Sequence, residues 1–154
     1  MSIKAAILEK AEASQIEFAE YTNLILDDMQ VEAISTEDSE FLTQFKECKC
    51  LALNSCHLNS LQNLPQIPTL QRLELNDNKV TSVKGVKWPT NLHTIKLANN
   101  QIKDLNELIE SLKPLASLEA VDISSSPCSS EEGTDHVKLL REALPNLKAV
   151  DGKD

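Results

Sequence analysis

Leucine, isoleucine and valine fall on a fixed grid along this chain, with polar residues between them. From Leu70 to Val80 the sequence reads LQRLELNDNKV, and twenty-two residues later LHTIKLANNQI runs from Leu92 to Ile102. Both follow the pattern L-x-x-L-x-L-x-x-N-x-L. Leu70, Leu73, Leu75, Asn78 and Val80 fill the first copy, and Leu92, Ile95, Leu97, Asn100 and Ile102 the second. One period upstream, Cys48, Leu51, Leu53, Cys56 and Leu58 keep the grid, with cysteine at the asparagine position, an accepted variant. Tyr21, Leu24, Leu26, Met29 and Val31 precede them; Leu118, Val121, Ile123, Ser126 and Cys128 follow; a half-repeat ends on Leu147 and Val150. The units start at residues 21, 48, 70, 92, 118 and 147, at spacings of 27, 22, 22, 26 and 29.

One such unit has too little apolar surface to bury by itself, whereas stacked units share a continuous aliphatic column. The L-x-L segment alternates inside and outside and reads as a strand. The asparagine follows where the chain must turn, and its amide can satisfy backbone groups of adjacent turns that would otherwise be buried unpaired. The expected fold is α/β: a right-handed leucine-rich repeat solenoid with a parallel concave sheet, an N-terminal helical cap and a C-terminal helix cap. One domain over 1–154 is expected, with the N-cap at about 1–20, repeats from 21, 48, 70, 92 and 118, and the C-cap at about 134–154.

Helical spacing marks both ends. Ile3, Ala6, Ile7 and Ala11 share one face of a helix from residue 3 to about 12, after Ser2 as N-cap. Val137, Leu140 and Leu144 form a stripe over 136–144, with Thr134 or Asp135 as cap. The longer spacings leave room for helical turns within Thr36–Phe45 and Leu105–Leu115. Trp88, between two repeats, is expected to cover the convex side of the core.

Composition narrows the class. Aromatics are 3% of the 154 residues against 41% apolar overall, so the core is aliphatic; three glycines and six prolines argue against a turn-rich sandwich. The net charge of −9 disfavours direct nucleic-acid binding and favours basic protein partners. No run of 18 apolar residues suggests a membrane span. The amino terminus mixes charge into its apolar residues and does not read as a signal peptide. Without one, the four cysteines read as reduced thiols of the cytosol or nucleus.

The variable strand letters carry the candidate site. Asp27, Asp28, Glu74, Asp77, Glu119 and Asp122 face Lys49, Arg72 and Lys96, a surplus of three negative charges, more if Asp151 joins. Five or six strands about 4.8 Å apart span roughly 25 Å, enough for a helix or an extended peptide. Glu74, Lys96 and Asp122 occupy one letter on neighbouring strands, so a structural charge ladder is one reading. The other is that Asp27, Asp28, Asp77 and Asp122, beside Arg72, Glu74, Lys96, Asn99 and Glu119, hold basic side chains of a partner.

Other constellations carry less. Cys48, Cys50, Cys56 and His57 have the letters of a zinc site but take diverging positions in the repeat. His57, His93 and His136 are scattered through the frame, and no P-loop, G-x-G-x-x-G or H-E-x-x-H occurs. No catalytic, metal or cofactor site is expected, and the chain is not read as an enzyme. Ser129 precedes Glu132 by three residues and Ser35 precedes Asp38 likewise, the spacing an acid-directed kinase uses. The stretch from Ser124 to Asp135 otherwise reads as a polar surface loop.

Taken together, Leu58–Val80, Asn91–Leu105, Leu112–Ile123 and the close LPNLKAVDGKD (Leu144–Asp154) resemble the leucine-rich domain of the acidic leucine-rich nuclear phosphoproteins. The resemblance implies a non-enzymatic, monomeric interaction module shared between nucleus and cytoplasm. It implies binding of basic proteins such as histones, inhibition of a serine/threonine phosphatase through its catalytic subunit, or both. Histone chaperoning by that family's acidic tail is not carried over, because the residues from Met1 to Asp154 do not include one. The serine-rich stretch after Ile123 also departs from the family pattern. The same half-repeat is similar to that of the spliceosomal leucine-rich A′ protein, so an adaptor role in a ribonucleoprotein is the alternative.

Overall fold

The computed structural model describes residues 2–14, 20–130, 133 and 135–152. Six short strands form one parallel sheet in chain order: β1 (Asn23–Ile25), β2 (Cys50–Ala52), β3 (Arg72–Glu74), β4 (Thr94–Lys96), β5 (Ala120–Asp122) and β6 (Ala149–Val150). Helices α1 (Ile3–Ser14), α2 (Thr36–Leu42), α3 (Leu105–Leu112), α4 (Pro127–Ser130) and α5 (His136–Ala143) occupy the ends and the returns.

The sheet register follows the leucine grid. Leu24, Leu51, Leu73, Ile95, Val121 and Val150 are successive Cα partners, and all are buried. The next inward letter, Leu26, Leu53, Leu75, Leu97 and Ile123, is buried beside them. Each strand has only two or three residues, too few to stand alone. It persists because its backbone bonds both neighbours: Leu53 N–H donates to the Glu74 carbonyl at 2.8 Å and Leu75 N–H to that of Lys96 at 2.8 Å.

Asparagine joins each turn to the one before. The buried Asn78 accepts from Cys56 N (2.9 Å) and Leu58 N (3.0 Å) at Oδ1. Its Nδ2 donates to the carbonyls of Leu53, Leu75 and Asn76 at 2.9, 3.0 and 3.2 Å. Two N–H groups serve three acceptors, so one is shared. Asn100 repeats the arrangement one turn on, accepting from Val80 N and donating to Leu75, Leu97 and Ala98. Cys56 has only a weak donor at this letter, bonded to the Leu26 carbonyl at 3.2 Å. There the Cys56 carbonyl itself accepts from Val31 N and Glu32 N, with left-handed backbone at Glu32 and His57.

The ends are closed by helices. Ser2 Oγ accepts from Ala5 N at 3.0 Å, and Ile3, Ala6 and Ile7 are buried; the side chain of Ala11 lies outside the described residues. Ser35 caps α2 by accepting from Asp38 N, and the buried Asp38 carboxylate reaches across to accept from Ile3 N (3.1 Å) and Lys4 N (3.0 Å). One side chain thus caps α1 and is itself held by a cap. Three of the five aromatics gather here: Phe45 meets Tyr21 and Phe41 edge to face at 5.9 and 5.8 Å. At the other end Asp135 caps α5 through Lys138 N, and Thr134 lies outside the described residues. Leu140 and Leu144 are buried and Val137 is half-buried. Trp88 is buried on the convex side, its Nε1 donating to Ser111 Oγ at 3.3 Å.

The expected loop after Ile123 differs in part. Residues Pro127–Ser130 form the short α4, and Ser126 and Cys128 are buried. The reason lies in the repeat frame: Ser126 takes the asparagine letter and accepts from Asn100 N at 3.3 Å, so the chain turns inward before leaving for the surface.

Candidate interaction surface on the concave sheet

Five letters of each repeat line the concave side along the strands, and of these Ala52 is buried. Where the strands begin stand Lys49, Gln71, His93, Glu119 and Lys148, all exposed. Next come Asn23, Cys50, Arg72, Thr94, Ala120 and Ala149, in register. The middle row is Ile25, Ala52, Glu74, Lys96 and Asp122, with Asp151 following on β6. Where the strands end lie Asp27, Asn54, Asn76, Ala98 and Ser124, then Asp28, Ser55, Asp77, Asn99 and Ser125.

The last of these rows is constrained in a way the pattern does not reveal. Asp28, Ser55, Asp77, Asn99 and Ser125 all have left-handed backbone, with φ of 65°, 56°, 59°, 56° and 58°. Aspartate and asparagine tolerate that region better than most residues. The acids at this rim therefore answer a backbone need as well as any partner. The row before it is stitched together too: Asp27 Oδ1 accepts from Asn54 N, Asn54 Oδ1 from Asn76 N, and Asn76 Oδ1 from Ala98 N, at 2.8 to 2.9 Å.

Charges on the middle rows are coupled. Arg72 Nε meets Glu74 Oε2 at 2.7 Å, an ion pair within β3 rather than along the ladder. Among the described residues Lys96 has no ion pair within 4 Å. Its charge is felt nonetheless. The Arg72 hydrogen bond, against the opposing effect of burial, holds the Glu74 carboxyl below its ordinary range, with help from Asn54 and Lys96. For Asp122 burial acts upward, but hydrogen bonds from Ser124, the Lys96 charge and Asp151 outweigh it, and the carboxyl lies low. Ladder and binding surface thus share residues: Glu74, Lys96 and Asp122 stand in register and remain half-exposed.

The remaining site residues fall at the edges. Asp77 Oδ1 accepts from Asn99 Nδ2 at 2.8 Å, and Glu119 pairs with Lys148, just before β6, at 3.2 Å, both exposed. Lys148 is a member that reading five repeats missed, because it enters only when β6 joins the sheet. The His136–Asp151 pair was also missed: Nε2 to Oδ2 is 2.6 Å, while Asp151 Oδ1 accepts from Ile123 N, fastening the C-terminal helix to β5.

The cysteines diverge as their letters imply. Cys48 is buried beneath the sheet, with its thiol pushed up to about 11, chiefly by burial. Cys50 lies half-buried on the concave side, Cys56 is buried at the asparagine letter, and His57 is exposed. Among the described residues no group of three or more such side chains is disposed to hold a metal ion. Ser35 is exposed but its hydroxyl is the α2 cap, and the acid three residues on, Asp38, is buried under α1. Ser129 Oγ donates to the Ser126 carbonyl at 2.9 Å, and Glu132 lies outside the described residues. No helix among the described residues is long and apolar enough to cross a membrane.

Comparison with known proteins agrees with this geometry. No family model matches the sequence. An acidic leucine-rich nuclear phosphoprotein 32-related protein of Plasmodium falciparum is 35% identical over 132 residues, 83% of this chain and 46% of its own length. The chain thus spans about half the length of that relative. Among solved structures, the Drosophila melanogaster SNF/U2A′ complex contains a chain matching 86% of this one and 73% of itself, at a TM-score of 0.73 and 24% identity. A Listeria monocytogenes internalin matches 94% of this chain and 52% of itself, at 0.56 and 17%. These two likenesses bear on the fold, which is the leucine-rich repeat solenoid. The sequence relative adds that this chain is a leucine-rich repeat domain related to the acidic leucine-rich nuclear phosphoproteins.

Proposed function

We propose that this domain is a non-enzymatic, monomeric protein-interaction module whose concave sheet takes up a basic protein segment. Core histones and the catalytic subunit of a serine/threonine phosphatase are the partners the family resemblance implies, and nucleus and cytoplasm the compartments. The single observation behind this reading is the rim where the strands end. Asp27, Asp28 and Asp77 stand there, and among the described residues no lysine or arginine shares the two rows. A lysine or arginine stripe laid along that rim would meet an acid at β1 and again at β3.

The test is calorimetric titration with core histones at two salt concentrations. Exposed ion pairs contribute about 0.2–1 kcal/mol each. Asp28→Asn with Asp77→Asn should therefore weaken binding roughly two- to thirty-fold. Asparagine keeps the left-handed backbone, so the fold should survive. Affinity that ignores both salt and the double substitution counts against the reading, since contacts of this kind are screened over about 8–10 Å.

The likeness in fold to U2A′, solved as a complex with SNF, supports the alternative of an adaptor in a ribonucleoprotein. Its partner would be a protein of that particle rather than RNA. Affinity capture followed by mass spectrometry distinguishes a histone or phosphatase subunit from such a partner.

A further inference from the structure

The concave face is divided by charge along the strand direction. The two rows at the strand beginnings carry Lys49, Arg72 and Lys148 against the single acid Glu119. Among the described residues, the two rows at the strand ends carry Asp27, Asp28 and Asp77 and no base. The surface that the composition describes as acidic is thus basic along one rim and acidic along the other, with a mixed row between.

The pairings present do not erase this division. Glu119 is matched by Lys148 in an ion pair whose side chains are 49% and 73% exposed, so it opens at little cost. Arg72 leans on Glu74 across the face. Lys49 and Asp28 are exposed and, among the described residues, have no ion pair within 4 Å.

Geometry limits what can use both rims together. The inner rows of the two rims are four residues apart along one repeat, at most about 13 Å of extended chain at roughly 3.3 Å each. A single extended peptide laid across the strands is too narrow to reach both. A helix is about 10–12 Å across including its side chains, and the long side chains of Lys49, Arg72 and Lys148 extend to meet it, so it reaches both. Six strands about 4.8 Å apart span roughly 24 Å, the length of about 16 helical residues at 1.5 Å each.

From this division we infer that the concave sheet is built for an amphipathic helix of mixed charge. One flank of the helix is basic and lies along Asp27, Asp28 and Asp77; the opposite flank is acidic and lies along Lys49, Arg72 and Lys148. The inference rests on the basic-segment reading and narrows it: a uniformly basic segment meets repulsion at the strand beginnings. The two rims also fix direction. Turning the helix end for end exchanges its flanks, so only one orientation satisfies both.

Three designed helical peptides of about 18 residues provide the test. One carries a lysine stripe on one flank and a glutamate stripe on the other. A second has the same composition with the charges interleaved. A third is wholly basic. Binding is followed by fluorescence anisotropy at low salt, and circular dichroism verifies that each variant is folded. The two-striped peptide should bind at least fivefold tighter than the interleaved one. Lys49→Glu should weaken it at least threefold while strengthening the wholly basic peptide. Equal binding of the first two peptides, or indifference to Lys49→Glu, overturns the inference. If the wholly basic peptide binds tightest and only Asp28→Asn with Asp77→Asn weakens it, the helix of mixed charge is wrong and the basic-segment reading stands. If no peptide responds to either set of substitutions, both fall.

Discussion

Removing the Asn78 side chain tests whether the asparagine letter holds adjacent turns together. In Asn78→Ala, Cys56 N–H and Leu58 N–H lose their acceptor in a buried site, and three carbonyls lose a donor. A buried donor left without a partner costs about 1–3 kcal/mol. Carbonyls have a second lone pair, and that of Leu75 also accepts from Asn100, so their loss is smaller. Two orphaned donors and a small cavity together give a destabilisation of about 3–5 kcal/mol. Against a total stability of about 5–15 kcal/mol, this would be among the largest single-residue effects in the chain. Chemical denaturation measures the total, and hydrogen exchange locates it. Cys56 and Leu58 amides should lose protection before those of β4 and β5. Asn91→Ala is the matched control: Asn91 is exposed and makes one hydrogen bond, to the Pro68 carbonyl, so it should cost under about 1 kcal/mol. Equal costs for the two substitutions, or unchanged exchange at Cys56 and Leu58, would refute the account of the asparagine ladder.

Three further outcomes follow from the contacts described. Asp38→Ala should destabilise the chain by about 1–2 kcal/mol and release protection of the α1 amides first, because Ile3 N and Lys4 N lose their cap; Asp38→Asn, which keeps an acceptor oxygen, should cost less. Glu74 and Asp122 have lowered folded-state pKa values, so the stability they contribute is present above the ordinary carboxylate range and lost as pH falls through their folded values. Carboxyl NMR titration of Arg72→Gln should move Glu74 upward more than Lys96→Gln does, while Asp122 should move upward with Lys96→Gln; the reverse order would contradict the assignment. Cys50 has a raised pKa, first from burial, then from Glu74, with Arg72 acting the other way. Its alkylation by iodoacetamide near pH 8 should therefore be slower than that of a free thiol, faster in Glu74→Gln and slower still in Arg72→Gln.

The leucine grid determined the architecture of this protein. Letters spaced 22 to 29 residues apart admit one arrangement in which every inward side chain is buried, and that arrangement sets strand order, parallel pairing and register. The helical caps at the two ends were legible for a similar reason: three-and-four spacing, Ser2 and Asp135 are local signals, acting over a few residues. The concave residues were legible as positions, because period-two alternation says which letters point outward.

What those positions do was decided by contacts between residues far apart in the chain. Asp38 sits within a helix pattern and gives no local sign that it caps residues 34 and 35 positions away. Glu74 invites pairing with Lys96 across the strands, yet Arg72, two residues back on the same side of β3, takes its oxygen at 2.7 Å. The left-handed φ at Asp28, Asp77 and Asn99 is imposed by the turn between stacked units, so a letter that reads as free is constrained. The division of the face into a basic and an acidic rim needs six strands side by side before it exists. A repeat specifies a spine because burial acts on every unit alike; electrostatics and capping depend on which unlike residues the stacking brings together, and only the folded sheet fixes that.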